Sequence, residues 1–296
     1  MDPSLPARPA PGPDPSRLDV GVIGTGRVGS VLGAALARAG HRVVAASGLS
    51  DASLARAARL LPGVPLLPAD EVAGRAGLLL LAVPDDALAP LVAGLAATGA
   101  VAVGALVVHV SGRHGLAVLE PATRRGALPL ALHPVLPFTG TEVDLARLSG
   151  ASFGVTTPDV LRPVGEALVL EMGGEPVWVA EQLRPLWHAA LSHGANHLVT
   201  LVASAADLLR AAGAQDPAAV LAPLLGAALD GALRGGDATL TGPVSRGDAG
   251  TVAAHRAALP DDARPAYAAL ARLTADRALA AGRLRADQAA DLLEVL

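Results

Sequence analysis

The stretch Val20-Gly21-Val22-Ile23-Gly24-Thr25-Gly26-Arg27-Val28-Gly29 decides how the first half of the chain is read. A short apolar run enters a loop with glycine at its first, third and sixth positions. Alanine- and leucine-rich sequence of helical period follows, from Arg27 to Ala39. A strand, a glycine loop and a helix in that order give a backbone that can cradle a pyrophosphate. Gly24 permits the tight turn, Gly26 lets the backbone approach the phosphates, and Gly29 lets the helix pack on the strand. The helix N-terminus adds free N–H groups and the positive end of its dipole. The spacing predicts a dinucleotide site along Gly24, Thr25, Gly26, Arg27, Val28 and Gly29. A glycine-rich turn without a ligand is the alternative reading.

Outward from this loop, apolar runs recur at 18–23, 42–47, 77–83, 105–110, 128–133, 152–157 and 176–180. Several are separated by helical segments such as 50–61. Continuous apolar strands between helices predict a parallel sheet covered on both faces. After Glu181 the strands stop. Residues 183–210 read as one long helix, and more helices run to Leu296, punctuated by Gly213, Gly235-Gly236, the loop TGPVSRGD at 241–248 and Pro260. The expected fold class is α/β. A Rossmann-type doubly wound sheet occupies 18–181, and an all-α C-terminal domain occupies 182–296. Residues 1–17, rich in proline and without an apolar run, read as a disordered tail and not as a secretory leader.

Composition narrows the function. Of 296 residues, 52% are hydrophobic and 17% charged, enough apolar content for a sizeable core. Aromatics are 2% and the net charge is −4, so no basic, base-stacking surface for nucleic acid is expected. There is no cysteine, which excludes disulfides, zinc–thiolate sites and thiol catalysis. There is no lysine either; every basic residue is arginine. Residues 87–108 are uncharged and long enough to span a bilayer, but Pro90, Gly94, Gly99 and Gly104 fit a helix followed by a buried strand. A cytoplasmic protein with no membrane contact is expected.

Cofactor choice rests on the run that ends Ala45-Ala46-Ser47-Gly48. A carboxylate about twenty residues past the glycine loop would bond the ribose hydroxyls of NAD. The strand end carries none, which removes repulsion against a 2′-phosphate, and Ser47, Ser50 and Arg27 can contact it. NADP(H) is therefore expected over NAD(H). The segment Ala82-Val83-Pro84 ends a strand and should line the nicotinamide, with Asp85 and Asp86 capping the next helix.

The order GTGRVG, LLLLAVPDDAL, VVHVSG, LALHPV and TGPVSRGD resembles bacterial proteins with a Rossmann-like and a DUF2520 domain. These belong to the wider superfamily of 6-phosphogluconate dehydrogenase, ketopantoate reductase and pyrroline-5-carboxylate reductase. The likeness spans about residues 18–290. It implies a nicotinamide-dependent oxidoreductase fold, a helical C-terminal domain and a homodimer formed through that domain.

A carbonyl reductase needs a proton donor near the substrate oxygen. Ketopantoate reductase and 6-phosphogluconate dehydrogenase place a lysine at the start of the long helix and an asparagine four residues on. In this chain the matching helix carries His188, Ser192 and Asn196, four apart and on one face. His188 then takes the lysine's place as acid or base, Asn196 orients the substrate and Ser192 lies beside them. Alternatively, these are polar residues satisfied inside a helix bundle. A second histidine, His133-Pro134, with Gly140-Thr141-Glu142 beyond and Ser111 upstream, resembles the HP…GTE segment of prephenate and arogenate dehydrogenases. There the histidine and serine act on a hydroxyl. His133 closes a strand in this reading and Pro134 stiffens the following turn; the alternative is a histidine that merely caps the strand end. Arg246 can clamp a substrate carboxylate bidentately, and Asp248 can cap a helix from about Ala249. His193 and His197 have a metal-compatible spacing but too few companions, so no metal is expected. His41, His109, His114 and His255 are given no role. The expected activity is NADP(H)-dependent oxidoreduction of a small carbonyl or hydroxy substrate of ketoacid type. The alternatives are deazaflavin–NADP hydride exchange, which needs no protein acid, and a non-catalytic dinucleotide-binding sensor or scaffold.

Overall fold

The computed structural model describes residues 17–296. The tail expected over 1–17 lies outside the described residues except for Arg17, whose guanidinium meets Glu171 at 2.8 Å. Seven strands, β1 (Asp19–Ile23), β2 (Arg42–Ser47), β3 (Leu78–Leu81), β4 (Leu106–His109), β5 (Leu128–Pro134), β6 (Ser152–Thr156) and β7 (Glu175–Trp178), arise from the seven apolar runs. They form one sheet in the order β2-β1-β3-β4-β5-β6-β7. Helices α1 (Arg27–Arg38), α2 (Asp51–Leu60), α3 (Ala69–Arg75), α4 (Asp85–Thr98), α5 (Glu120–Thr123), α6 (Val143–Arg147) and α7 (Arg162–Glu171) connect them.

The four leucines of β3 show why the strands are uninterruptedly apolar. Period two sends Leu78 and Leu80 into one core with Val20, Val22, Leu32, Val108 and Phe153. Leu79 and Leu81 enter the opposite core with Ile23, Val72, Leu88, Val92 and Val107. Both faces are covered, so each side chain contributes about 2 kcal/mol of apolar burial. Residues 87–108 resolve into most of α4, a left-handed turn at Gly99 (φ +68°) and β4, as a helix followed by a strand.

One pairing departs from the parallel sheet expected. β5 and β6 are antiparallel, with His133 opposite Gly154 and Pro134 opposite Phe153. The connection between them holds only the five-residue α6. At about 1.5 Å per residue that helix cannot run back along a seven-residue strand. Pro134 also differs from expectation: it continues β5 and does not begin the turn. Val135 N–H bonds Ser152 across to β6, so the position before it faces the other side. There β4 has already ended, its last partner being Ala131, and no ladder bond is lost.

Two compact units divide after Ser192, inside α8 (Arg184–Ala211), and not at 181. The first turns of α8 join the sheet through Arg184 and Trp187. The second unit continues with α9 (Pro217–Gly235), α10 (Pro243–Arg246), α11 (Ala249–Ala258), α12 (Arg264–Ala280) and α13 (Ala286–Val295). Its core is built on small side chains, Ala271, Ala275, Ala278 and Ala289 around Val252 and Leu292. Among the described residues one helical stretch, Pro217–Arg246, is long and apolar enough to cross a membrane, with mean hydropathy 1.3.

Candidate active site

The glycine loop sits at the carboxyl edge of β1, where β2 pins it. The N–H groups of Gly24 and Thr25 both donate to the Ser47 carbonyl, at 2.9 and 3.1 Å. Its three glycines have different reasons. Gly24 has φ +96°, and a side-chain carbon built there would stand 2.5 Å from the Ala82 oxygen. One built on Gly29 would overlap the Gly24 carbonyl. Gly26 has an ordinary φ of −69°, and nothing lies within 4 Å of where its side chain would be. It is also the N-cap of α1, with no side chain bonding the first-turn amides. Space and unmet donors therefore coincide at Gly26. Beside them the Thr25 hydroxyl is fully buried and has no partner among the described residues. The loop fits a pyrophosphate; Arg27, Val28 and Gly29 contribute the amides of the first turn.

No carboxylate stands at the end of β2; the first to follow, Asp51, opens α2. The hydroxyl of Ser50 accepts the Ser53 N–H at 3.2 Å in a capping box for α2, so it is already engaged. Arg27 and Arg56 converge on Gly140: a side-chain carbon there would stand 3.0 Å from Arg27 Cγ and 2.9 Å from Arg56 Nε. Arg59 donates to the Gly140 carbonyl at 2.6 Å and pairs with Glu142 at 3.3 Å. The buried Asp144 carboxylate takes the N–H groups of Thr139 and Gly140 at 2.8 and 2.7 Å. Gly140-Thr141-Glu142 is thus docked on α2 beside the glycine loop, with no bond to His133.

The segment after β4 is organised by residues that the motif reading passed over. His109 is fully buried; its Nδ1 accepts the Ser111 N–H at 3.2 Å and its Nε2–H donates to the Gly115 carbonyl at 2.9 Å. Burial pushes its pKa down to about 3, so it is neutral. The Ser111 hydroxyl accepts the His114 N–H at 3.1 Å. Glu181 receives the N–H groups of Leu116 and Ala117 at 2.7 and 3.1 Å. Asp85 and Asp86 do not cap α4, whose N-cap is Pro84. They pair with Arg113 at 3.2 and 3.0 Å, because a guanidinium offers charge-assisted bonds.

Arg184 is fully buried and reaches three elements. Its Nη2 donates to the Ser111 carbonyl at 2.5 Å, and its Nη1 to the Gly154 carbonyl at 3.3 Å and the Thr156 hydroxyl at 3.1 Å. No carboxylate bonds it among the described residues, and its Nε has no partner. Desolvation pulls its pKa down to about 10, which leaves it a cation at neutral pH.

His133 lies in β5 opposite Gly154. The missing side chain at Gly154 admits the Trp187 indole, which would otherwise be 2.8 Å from a carbon there. Trp187 Nε1–H donates to His133 Nδ1 at 3.2 Å. On the other side, a carbon built on Gly112 would stand 2.8 Å from His133 Nε2 and 2.5 Å from His188 Cδ2. The two imidazoles meet edge to face, 5.7 Å between centroids. Burial, then the neighbouring His188 ring and the Arg184 cation, lower the His133 pKa to about 4.

His133, His188 and the segment beginning at Ser111 are thus brought together. Val83 and Pro84 follow Ala82, whose N–H bonds the Ile23 carbonyl beside the glycine loop at 2.8 Å. Ser192 is the last residue of the first unit, whereas Asn196 and Arg246 belong to the second. Asn196 is exposed. Arg246 directs Nε and Nη2 at Asp248, 3.2 and 3.1 Å away. Asp248 stands at the N-cap of α11 but makes no capping bond, since that paired guanidinium outcompetes a single amide. His193 and His197 meet at 2.9 Å between Nδ1 atoms; no metal-binding group of three residues exists among the described residues. Arg184, Trp187, Gly112 and His109 escaped the motif reading. Trp187 alone carried a signal, as one of two tryptophans and the neighbour of His188.

A mostly parallel sheet with a glycine cradle at its carboxyl edge, followed by a helical unit, defines a Rossmann-type dinucleotide-binding fold with a helical C-terminal extension. Residues 7–134 match the Rossmann-like domain and residues 151–274 match the domain of unknown function DUF2520, and the chain belongs to the proteins that carry these two domains. No curated protein matches the sequence. Among solved structures, a candidate NADP oxidoreductase from Bacteroides fragilis is 22% identical, with TM-score 0.75 over 88% of this chain and 99% of that one. An imine reductase from a Pseudomonas species is 20% identical, with TM-score 0.64 over 94% and 99%. Pyrroline carboxylate reductase from Plasmodium falciparum, with NADP bound, is 11% identical, with TM-score 0.57 over 94% and 99%. At these identities the likeness is one of fold.

Proposed function

We propose that this chain is an NADP(H)-dependent oxidoreductase acting on a small carbonyl or hydroxy compound of ketoacid type. The observation that carries the reading is the imidazole pair His133–His188 around Gly112. It stands at the same carboxyl edge of the parallel strands as the glycine cradle, where ligands of such sheets bind. A bound nicotinamide would supply the hydride there. His133 holds the substrate oxygen, and His188 in its imidazolium form gives that oxygen a proton. The choice of NADP is supported by the lack of an acid at the end of β2 itself and by Arg27 and Arg56, whose side chains both pass beside Gly140 near the loop. The similar fold with NADP bound is consistent with it. A homodimer through the helical unit is supported by its exposed apolar residues, Val199 at 71% and Leu233 at 80%.

The test is calorimetric titration with NADPH and NADH, followed by NADPH oxidation against a ketoacid panel. Micromolar NADPH binding with NADH at least about tenfold weaker, a difference of about 1.4 kcal/mol, is expected. Failure of both nucleotides to bind overturns the reading. Oxidation with a deazaflavin alone would select hydride exchange, and binding without any turnover the sensor role.

A further inference from the structure

We infer that Trp187 is a positioning residue that fixes His133 as a neutral Nε2–H donor, and that this donor selects a carbonyl oxygen over an iminium nitrogen. The assignment rests on the site proposed above and specifies what that site can bind.

An indole N–H donates only, and Trp187 Nε1–H is aimed at His133 Nδ1 at 3.2 Å. That nitrogen must present its lone pair, so in the neutral ring the proton resides on Nε2. Nε2 has no partner among the described residues and lies beside the backbone of Gly112 and the edge of the His188 ring. A donor without an acceptor among the described residues therefore lies where the missing side chain of Gly112 lets the two imidazoles approach the backbone. The charged and titratable groups acting on it are His188 and Arg184, which disfavour further positive charge, and Asp85, which opposes them more weakly. Asp85 is paired with Arg113. Among the described residues no carboxylate bonds Arg184, so the local balance is cationic.

A carbonyl oxygen has lone pairs for Nε2–H and gains negative charge as its carbon is reduced. The hydride and its electron pair form the new C–H bond, the C=O π pair moves onto oxygen, and that oxygen takes a proton from imidazolium His188 or from water. His133 keeps its own proton throughout, since losing it would leave an imidazolate. A protonated imine has no lone pair on nitrogen and carries its positive charge before the step. Nε2–H cannot bond to it, and Arg184 repels it.

The experiment is long-range ¹H–¹⁵N correlation of the histidine rings in the full chain with NADP+ added, probed with 2-oxobutyrate and with pyrrolidinium. Expected for His133 is an Nε2–H, bare-Nδ1 pattern at pH 7, moved by 2-oxobutyrate and indifferent to pyrrolidinium. Trp187→Phe should turn the pattern into a mixture of tautomers. An Nδ1–H pattern or a charged ring at pH 7 overturns the tautomer assignment directly in the unsubstituted protein, whatever the variant does. A resonance that ignores 2-oxobutyrate, or moves with pyrrolidinium, overturns the carbonyl selectivity. Nucleotide binding, read separately by calorimetry, shows whether the oxidoreductase reading itself has failed.

Discussion

Arg184 Nη2 donates to the carbonyl oxygen of Ser111 at 2.5 Å, across 73 positions of sequence. The same guanidinium holds Gly154 and Thr156, so β6 and the segment after β4 share one donor. Arg184→Met keeps the stem and removes the donors, leaving buried acceptors unmet. Stability should fall by about 1–3 kcal/mol in urea denaturation. The His133 titration midpoint should rise in the same variant, because a positive neighbour is gone. Unchanged stability together with an unchanged midpoint would remove Arg184 from both roles.

Gly24 and Gly26 should respond oppositely to alanine. Gly24→Ala strains a φ of +96° and presses on Ala82, so it should destabilise the fold by about 1–3 kcal/mol. Gly26→Ala meets open space at an ordinary φ, and stability should stay within about 0.5 kcal/mol. NADPH affinity should nevertheless drop more than about tenfold, since the methyl takes the place of a phosphate oxygen. Thermal melts and calorimetry on the two variants separate a structural glycine from a binding one.

Arg27→Ala should weaken NADPH by about tenfold and leave NADH nearly unchanged, as expected for a guanidinium that meets a 2′-phosphate. Equal loss for both nucleotides would move Arg27 to the pyrophosphate.

Acid should unfold the protein through its buried histidines. His109 and His133 have pKa values near 3 and 4 when folded and 6.5 as the ordinary value. As pH falls below 6.5 the unfolded chain takes up protons that the folded chain refuses, so stability declines with falling pH. The decline continues until each folded pKa is reached, at up to about 1.4 kcal/mol per pH unit for each histidine. His109→Gln keeps a donor for Gly115 and should flatten the slope of urea midpoints between pH 6.5 and 4. A slope unaltered by that change would place the acid sensitivity elsewhere.

The strands were legible because double burial leaves each one an unbroken apolar run, as with Leu78 to Leu81. The glycine loop was legible because its geometry tolerates so few residues. The reversal of β6 was not, since strand direction depends on the length of the connection and leaves no mark on the strand itself. Of the site, His133 and His188 were found by their chemistry, but their meeting depends on two small absences, the side chains missing at Gly112 and Gly154. Arg184 was invisible because a charged residue at a helix start ordinarily reads as surface. Asp248 and Asp85 misled for one reason: each has an arginine within reach that local sequence spacing does not weigh against a capping role.

Glu181 and Gly115 leave no room for one another to vary, because a side chain on Gly115 would occupy the space of the Glu181 carboxylate. Three residues further on, Arg184 grips Ser111. The start of α8 and the wall opposite His188 are therefore tied twice and move as one body. A lineage adapting this scaffold to a bulkier substrate could not widen the gap between His188 and Gly112 by single substitutions there. New specificity would have to enter from residues outside this tied pair, and changes at positions 115 and 181 should arise together.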